Sequence, residues 1–292
     1  MKHALALAIW ALPAVALAVP PLYLPDDVTG ARSMAMGDAF RGVATSNDAI
    51  VENPAGLVLT PHYELGGFFA WDTAAPAAYW NGSIVDATTI PVAVGLSYTH
   101  IGSGTGYGVT PDATGRYVGA SYRLALAYPV SDILSIGANV NWLVYGGDVG
   151  NEGSGVNAIT GTAAVMLKLS DLFSISAVGY NLIPVETPLA PLRVALGAAF
   201  GSDTTFRLDV DGVASLGTND AFDIHAGGEY FLGGMFAIRA GYFYSGLTES
   251  SFGSIGAGLV LTSFAVDVAY RNSINPWSDH LIVADLKFFL PG

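Results

Sequence analysis

Apolar and polar residues alternate with a period of two over most of the chain beyond residue 62. In FRLDVD, residues 206–211, Phe206, Leu208 and Val210 share one face, and Arg207, Asp209 and Asp211 share the other. Residues 264–271 repeat this, with Phe264, Val266, Val268 and Tyr270 opposite Ala265, Asp267, Ala269 and Arg271. Between 221 and 230, Asp223, His225 and Glu229 oppose Phe222, Ile224 and Tyr230. Residues 118–128 set Val118, Ala120, Tyr122, Leu124, Leu126 and Tyr128 against Gly119, Ser121 and Arg123. Side chains alternate across a strand, so charge confined to one face of a two-residue repeat points to β-structure.

Turn residues divide this region into fourteen predicted strands: 62–71, 78–87, 90–101, 116–128, 134–145, 158–169, 173–182, 192–201, 205–214, 221–231, 235–244, 253–262, 264–272 and 280–289. Between them, six short connections alternate with seven longer ones. Short turns on one side and longer loops on the other are the plan of an up-and-down membrane barrel with an even strand number and both termini on the turn side. Aromatic residues are expected to form a girdle at each end. Tyr128, Phe173, Phe200, Phe206, Phe231, Phe236, Phe264 and Phe288 flank the short turns, and Trp71, Tyr79, Trp142, Tyr145, Tyr180, Tyr242, Tyr244 and Tyr270 lie towards the loops.

Composition sharpens this picture. The chain is 52% hydrophobic and 12% charged, yet after the N-terminus no apolar run reaches the roughly 18 residues of a membrane helix. Residues 1–18 have a basic start, an apolar run and the small-x-small triplet Ala16-Leu17-Ala18, which reads as a secretory signal peptide cleaved after Ala18. A secreted β-sandwich or β-solenoid is the rival to a barrel. Cysteine is absent, which excludes a disulfide framework, and a net charge of −13 argues against nucleic acid as a partner.

Residues 26–60 lack the two-residue period and place small residues at helical spacings, with a turn at Asn53-Pro54-Ala55-Gly56. This segment reads as a compact hatch before the first strand. The chain thus divides into a signal peptide (1–18), a hatch (19–61) and a barrel (62–292). The fold class is all-β, a 14-stranded antiparallel transmembrane β-barrel with a short N-terminal helical plug.

The string GARSMAMGDAFRGVATSNDAIVENPAGL, residues 30–57, resembles the N-terminal signature of PorV and FadL-like outer-membrane barrels. The matching positions include Gly30, Ala31, Arg32, Met36, Gly37, Phe40, Asp48, Asn53, Pro54 and Gly56. Asp38 departs from the pattern where a second glycine is usual, and Glu52 departs where an aromatic residue is common. The barrel is short for the family, with small loops and little room for a lateral gate of the familiar kind. The resemblance implies a fourteen-stranded barrel with a hatch. From it, Arg32, Met36, Phe40, Asp48, Asn53, Pro54 and Gly56 are the candidate hatch and ligand-binding residues.

The remaining chemistry is polar and inward. Arg123, Arg193, Arg207, Asp209, Asp211, Asp223, Glu229, Arg239, Asp267, Arg271, Asp285 and Lys287 fall on the lumen parity of their strands. Charges of both signs on facing walls are expected to pair with one another and with the hatch, where Arg32 and Asp48 join the network. Asp223 with His225, and Asp279 with His280, are the places to look for a catalytic His-acid pair, but polar groups of the lumen or rim explain them more simply. The acidic residues Asp72, Asp112, Asp148, Glu152, Glu186, Asp220, Glu249 and Asp279 read as a solvated loop rim and lack the spacing of a cation-binding loop. No cofactor, metal site or enzymatic activity is expected.

Two functions remain in balance. One is binding or passage of a small hydrophobic compound across the outer membrane, as the FadL resemblance implies. The other is a non-transporting PorV-like scaffold or shuttle for secretion or surface attachment. Expected partners are outer-membrane lipid and lipopolysaccharide, the barrel-assembly machinery, and either a small hydrophobic ligand or other envelope proteins.

Overall fold

The computed structural model describes residues 28–72, 77–103, 117–147, 155–185, 187, 190–202, 204–217, 220–274 and 280–290. The signal peptide, and Asp112, Asp148, Glu152, Glu186 and Asp279 among the rim acids, lie outside them.

Fourteen antiparallel strands close into one barrel in chain order, β1 pairing with both β2 and β14. They are β1 Tyr63–Asp72, β2 Ala77–Asp86, β3 Ala93–Ser103, β4 Tyr117–Pro129, β5 Leu134–Gly147, β6 Val156–Ser170, β7 Phe173–Tyr180, β8 Leu192–Gly201, β9 Phe206–Leu216, β10 Ala221–Leu232, β11 Phe236–Ser245, β12 Ser250–Val260, β13 Phe264–Ser273 and β14 His280–Leu290. Closure gives every strand two neighbours, so the ladders can satisfy backbone polar groups without water. The outward residues are apolar and exposed: Leu196 at 65%, Ile255 at 62% and Val210 at 55%. This apolar belt around a closed barrel makes the chain a transmembrane barrel. No helix among the described residues is long and apolar enough to cross a membrane.

All fourteen predicted strands are present with ends within three residues of expectation. Parity holds at Phe206 to Asp211, with the three acidic or basic side chains buried and the apolar ones exposed. The strict alternation of connection lengths does not hold. The β2–β3 turn spans residues 87–92, whereas the β1–β2 loop is only 73–76. Pro91 cannot donate to a ladder, which delays β3, and Asp86 caps the turn by accepting from the Thr88 and Thr89 amides at 3.0 Å.

The loop-side girdle is also smaller than expected, because Tyr79, Tyr145 and Tyr180 are buried. Their strand parity turns them inward, where their area covers the hatch instead of the membrane interface. Asp72 is likewise no rim acid, since it is the last residue of β1 and fully buried. Asp220 and Glu249 are exposed at connections, as a solvated rim requires.

Residues 28–61 fill the lumen. Helix α1 is Ala31–Ala35 and α2 is Ala49–Glu52, with short 3-10 turns at Ser46–Asp48 and Pro54–Leu59. Helices of four or five residues are far below the ~12 needed to persist alone in water, so the barrel wall holds their shape. Helix α1 lies against β11 to β14, the Pro54–Leu59 turn against β3 to β6, and the Ser46–Asp48 turn against β1 and β2. Met34 and Ala35 pack with Tyr79, Ile101 and Leu143 in one cluster, and Met36, Phe40 and Ile50 pack with Val85 and Ala125 in another.

Candidate functional site

The hatch is built from local turn chemistry. Gly37 and Asp38 both take left-handed backbone, at φ +69° and +56°. Glycine does so freely, and aspartate is among the few other residues that tolerate it. A side chain at Gly37 would also strike the Tyr242 backbone of β11. Asn53 closes the last hatch turn, its Oδ1 accepting from the Ala55 amide at 3.1 Å and its Nδ2 donating to the Arg41 carbonyl at 2.7 Å. Pro54 opens the turn at a position needing no N–H. Gly56 passes so close to the Ala44 carbonyl that no Cβ would fit.

Charge then fixes the plug to one side of the wall. Arg32 reaches Glu229 at 2.6 Å, and Arg239 bridges Glu229 and Asp267 at 2.5 and 2.6 Å. Arg271 binds Asp38 at 2.9 Å, Lys287 binds Asp48 at 2.7 Å, and Asp285 lies 3.4 Å from Lys287. Arg41 donates to Asp211 at 3.1 Å and approaches Glu52 at 3.3 Å. Asp211, Glu229, Arg239, Asp267, Arg271, Asp285 and Lys287 therefore pair with one another or with the hatch. Arg32 and Asp48 both join, each through a wall partner. Arg123, Arg193, Arg207 and Asp209 are also buried and inward, and Arg193 lies over the Tyr180 ring at 5.3 Å.

The two departures from the family signature both sit in this network. The Asp38 carboxylate accepts from Arg271 and from Thr29 at 2.7 Å. Glu52 is buried, accepting from Ser33 at 2.9 Å, and the Tyr180 hydroxyl donates to its carbonyl. Burial pushes the Glu52 carboxyl up to about 8; Arg41 pulls it down, while Asp38 and Asp211 push it further. Met36 and Phe40 are fully buried between the hatch and the wall, with the Arg32 guanidinium 5.2 Å over the Phe40 ring. Asp223 and His225 share the lumen face without forming a pair with each other, since Asp223 accepts from the Gly246 amide and His225 bonds to the Gly37 carbonyl and stacks on Phe243. His280 bonds to the Tyr270 hydroxyl at the loop edge.

Beside this ionic wall, where β14 gives way to β1, lies a feature the hydrophobic pattern did not reveal. The β1–β2 ladder pairs Gly66 with Ser83, then skips Gly67 and Phe68 against Gly82 and Asn81, and resumes at Phe69 with Trp80. Among the described strands it is the one interruption away from a turn, the other being a bulge at Leu169. Two opposed glycines leave the outer face of this seam bare. Asn81 turns its amide away from β1 to Ser97 and Thr99 on β3, both at 2.9 Å. Outside the seam, a groove of about 810 Å³ is lined by Leu65, Ile84, Leu96 and Leu124, with Ser83 and Ser97 contributed from the lumen parity. A ridge of rings borders it: Tyr98 lies 4.9 Å from Trp80 and 5.0 Å from Tyr122, and Tyr122 stacks on Trp142 at 5.2 Å. Two clefts flank the hatch at the turn-side mouth, of about 620 and 290 Å³.

No family model and no curated protein matches the chain by sequence. Solved structures do match. The CymD monoaromatic hydrocarbon channel superposes with a TM-score of 0.71 at 15% identity, over 90% of this chain and 97% of its own. The fold is one shared with hydrocarbon channels. The Ralstonia pickettii toluene transporter TbuX follows at 0.67 and 14%, over 90% and 98% of the two chains. A Pseudomonas aeruginosa FadL homologue gives 0.65 and 13%, over 89% and 98%.

Sequence reasoning missed Arg41, Asn47, Glu64 and Asn81 and the seam itself. The signal available was the glycine doublet Gly66-Gly67 and the lone Gly82 inside strands, which weaken a ladder and mark bends or close approaches.

Proposed function

We propose that this chain is an outer-membrane barrel, exported by its signal peptide, that passes small hydrophobic compounds from the loop side into the bilayer through the β1–β2 seam. The observation that carries this is the interrupted ladder at Gly67 and Gly82, beside which an apolar groove lined by Gly66 and Gly82 runs along the lipid-facing wall. An apolar solute gains roughly 25 cal/mol per Å² of surface removed from water, so a sideways exit into lipid is downhill where a passage into the periplasm is not. Fold likeness to channels titled for toluene and monoaromatic hydrocarbons makes small aromatics the first cargo to try.

The test is uptake of labelled toluene by cells with a lipopolysaccharide outer membrane. A Cβ on Gly82 meets nothing within 4 Å, so Gly82→Phe fills the groove mouth without straining the barrel. Uptake is expected to fall several-fold at equal amounts of folded protein. Unchanged uptake in Gly82→Phe would remove the seam as the route. No uptake above empty cells in the unmodified barrel would favour the scaffold reading.

A further inference from the structure

The Ser46–Asp48 turn of the hatch meets the wall beside the interrupted pairing. It is clasped to β1 through Glu64, which accepts from the Ser46 hydroxyl and from the Asn47 amide at 3.3 Å and is itself bonded by His62 at 3.0 Å. From that anchor the Asn47 side chain crosses the strands. Its Nδ2 donates to the Ser83 hydroxyl of β2 at 3.1 Å, and Ser83 donates on to the Gly66 carbonyl of β1 at 3.2 Å. Gly66 and Ser83 are the last ladder pair before the break. Gly66 also has to be glycine for this contact, because a Cβ there would lie 2.7 Å from Asn47 Nδ2.

We infer that Asn47 is the latch of the β1–β2 seam, a positioning residue through which the hatch holds the two strands together where their own ladder fails. Three facts converge on it. The residue is buried, with 6% of its surface exposed. Its Oδ1 is buried with no hydrogen-bond partner, so the amide is oriented for its one donor contact across the seam and its acceptor is unused in the closed state. The backbone that presents it is held in an uncommon form, Ser46 lying at φ +66°. Such a conformation persists only where its surroundings over-determine it. When the turn moves, Ser83 loses its donor and the interruption lengthens by one pair. The hatch and the exit are then one device: displacing the plug unfastens the wall. As a latch this stands on geometry alone; as a control on passage it rests on the seam being the exit.

The latch can be removed from either side. Asn47→Ala deletes it from the hatch, and Gly66→Ala evicts it from the wall. Hydrogen exchange on purified folded barrel reads the seam directly, at the amides of residues 66–69 and 81–83, with the β9–β10 pair as internal reference. Loss of one buried hydrogen bond predicts exchange faster by about five- to tenfold at the seam, with the reference unchanged, in both variants. Wild-type protection of the seam in both variants overturns the latch. Parallel acceleration at β9–β10 also overturns it, by making the effect general loosening. Toluene uptake measured on the same variants separates the two readings, because a loosened seam with unaltered uptake leaves the latch standing and removes the exit route.

Discussion

From β8 to β14 the inner wall meets the hatch with ions, whereas from β2 to β7 it meets the same segment with neutral amides, hydroxyls and small apolar side chains. On the first side stand Arg207, Asp211, Glu229, Arg239, Asp267, Arg271 and Lys287, all buried. On the second, Ser135 donates to the Ala55 carbonyl at 2.9 Å, Asn139 to the Ile50 carbonyl at 2.8 Å, and Asn47 to Ser83. Among the described residues Arg123 is the buried ion of that side, and on β1, between the two sides, the buried Glu64 clasps the Ser46–Asp48 turn. The difference decides where the plug can move. Parting a buried ion pair strands a charge in a low dielectric and costs about 3–5 kcal/mol. Parting a neutral hydrogen bond costs about 1 kcal/mol. The hatch therefore has an anchored edge and a yielding edge, and the seam lies where the two meet, since β1 pairs with β14 on one side and with β2 on the other, and Asp48, next to Asn47, is held by Lys287.

The largest effect should come from attacking the anchor. Glu229→Ala leaves Arg32 and Arg239 without their shared carboxylate and should weaken hatch docking by about 3–5 kcal/mol, read as protease cleavage of residues 28–61 at lower urea while the barrel stays folded. Asn139→Ala on the yielding side should cost only about 1 kcal/mol in the same assay. Equal costs would erase the distinction between the two edges.

Much of this was legible in the sequence. Fourteen strands follow from a period of two, because a barrel wall faces lipid on one side and protein on the other, and every slip of one residue would expose charge to lipid. The inward charges followed from the same parity. Which carboxylate meets which cation did not, because Arg32 and Glu229 are 197 residues apart in the chain and their meeting is set by where α1 lies in the lumen. The girdle assignments of Tyr79, Tyr145 and Tyr180 failed for a related reason: aromatic residues near strand ends serve the interface or the plug according to parity alone. The seam was least legible, since it depends on Gly67 facing Gly82 across a register.

Docking of the hatch is also expected to depend on pH. The Glu52 carboxyl has its proton affinity raised from the ordinary 4.5 to about 8 inside the docked hatch. The docked state therefore binds a proton that the released state has lost, across that interval. Its stabilisation is complete below about 4.5 and is lost as pH rises through about 8, with docking weakening by at most about tenfold per pH unit between. Hydrogen exchange of residues 46–56 should thus rise from pH 5 to 8 beyond the intrinsic rate. Glu52→Gln should flatten that slope; an unchanged slope would assign it to another group.

The smallest expected change is at the ring ridge outside the seam. Trp142→Leu removes the stack on Tyr122, worth about 0.5–1.5 kcal/mol, and should lower barrel stability slightly without altering hatch protection. A change in hatch protection would mean that the outer ridge and the plug are coupled.

The central claim is that cargo leaves between β1 and β2. Because the chain contains no cysteine, Phe68→Cys with Asn81→Cys places a single reversible bond across the unpaired positions. Toluene uptake should fall several-fold when that bond is formed and return when it is reduced; uptake that is the same in both states would contradict the account.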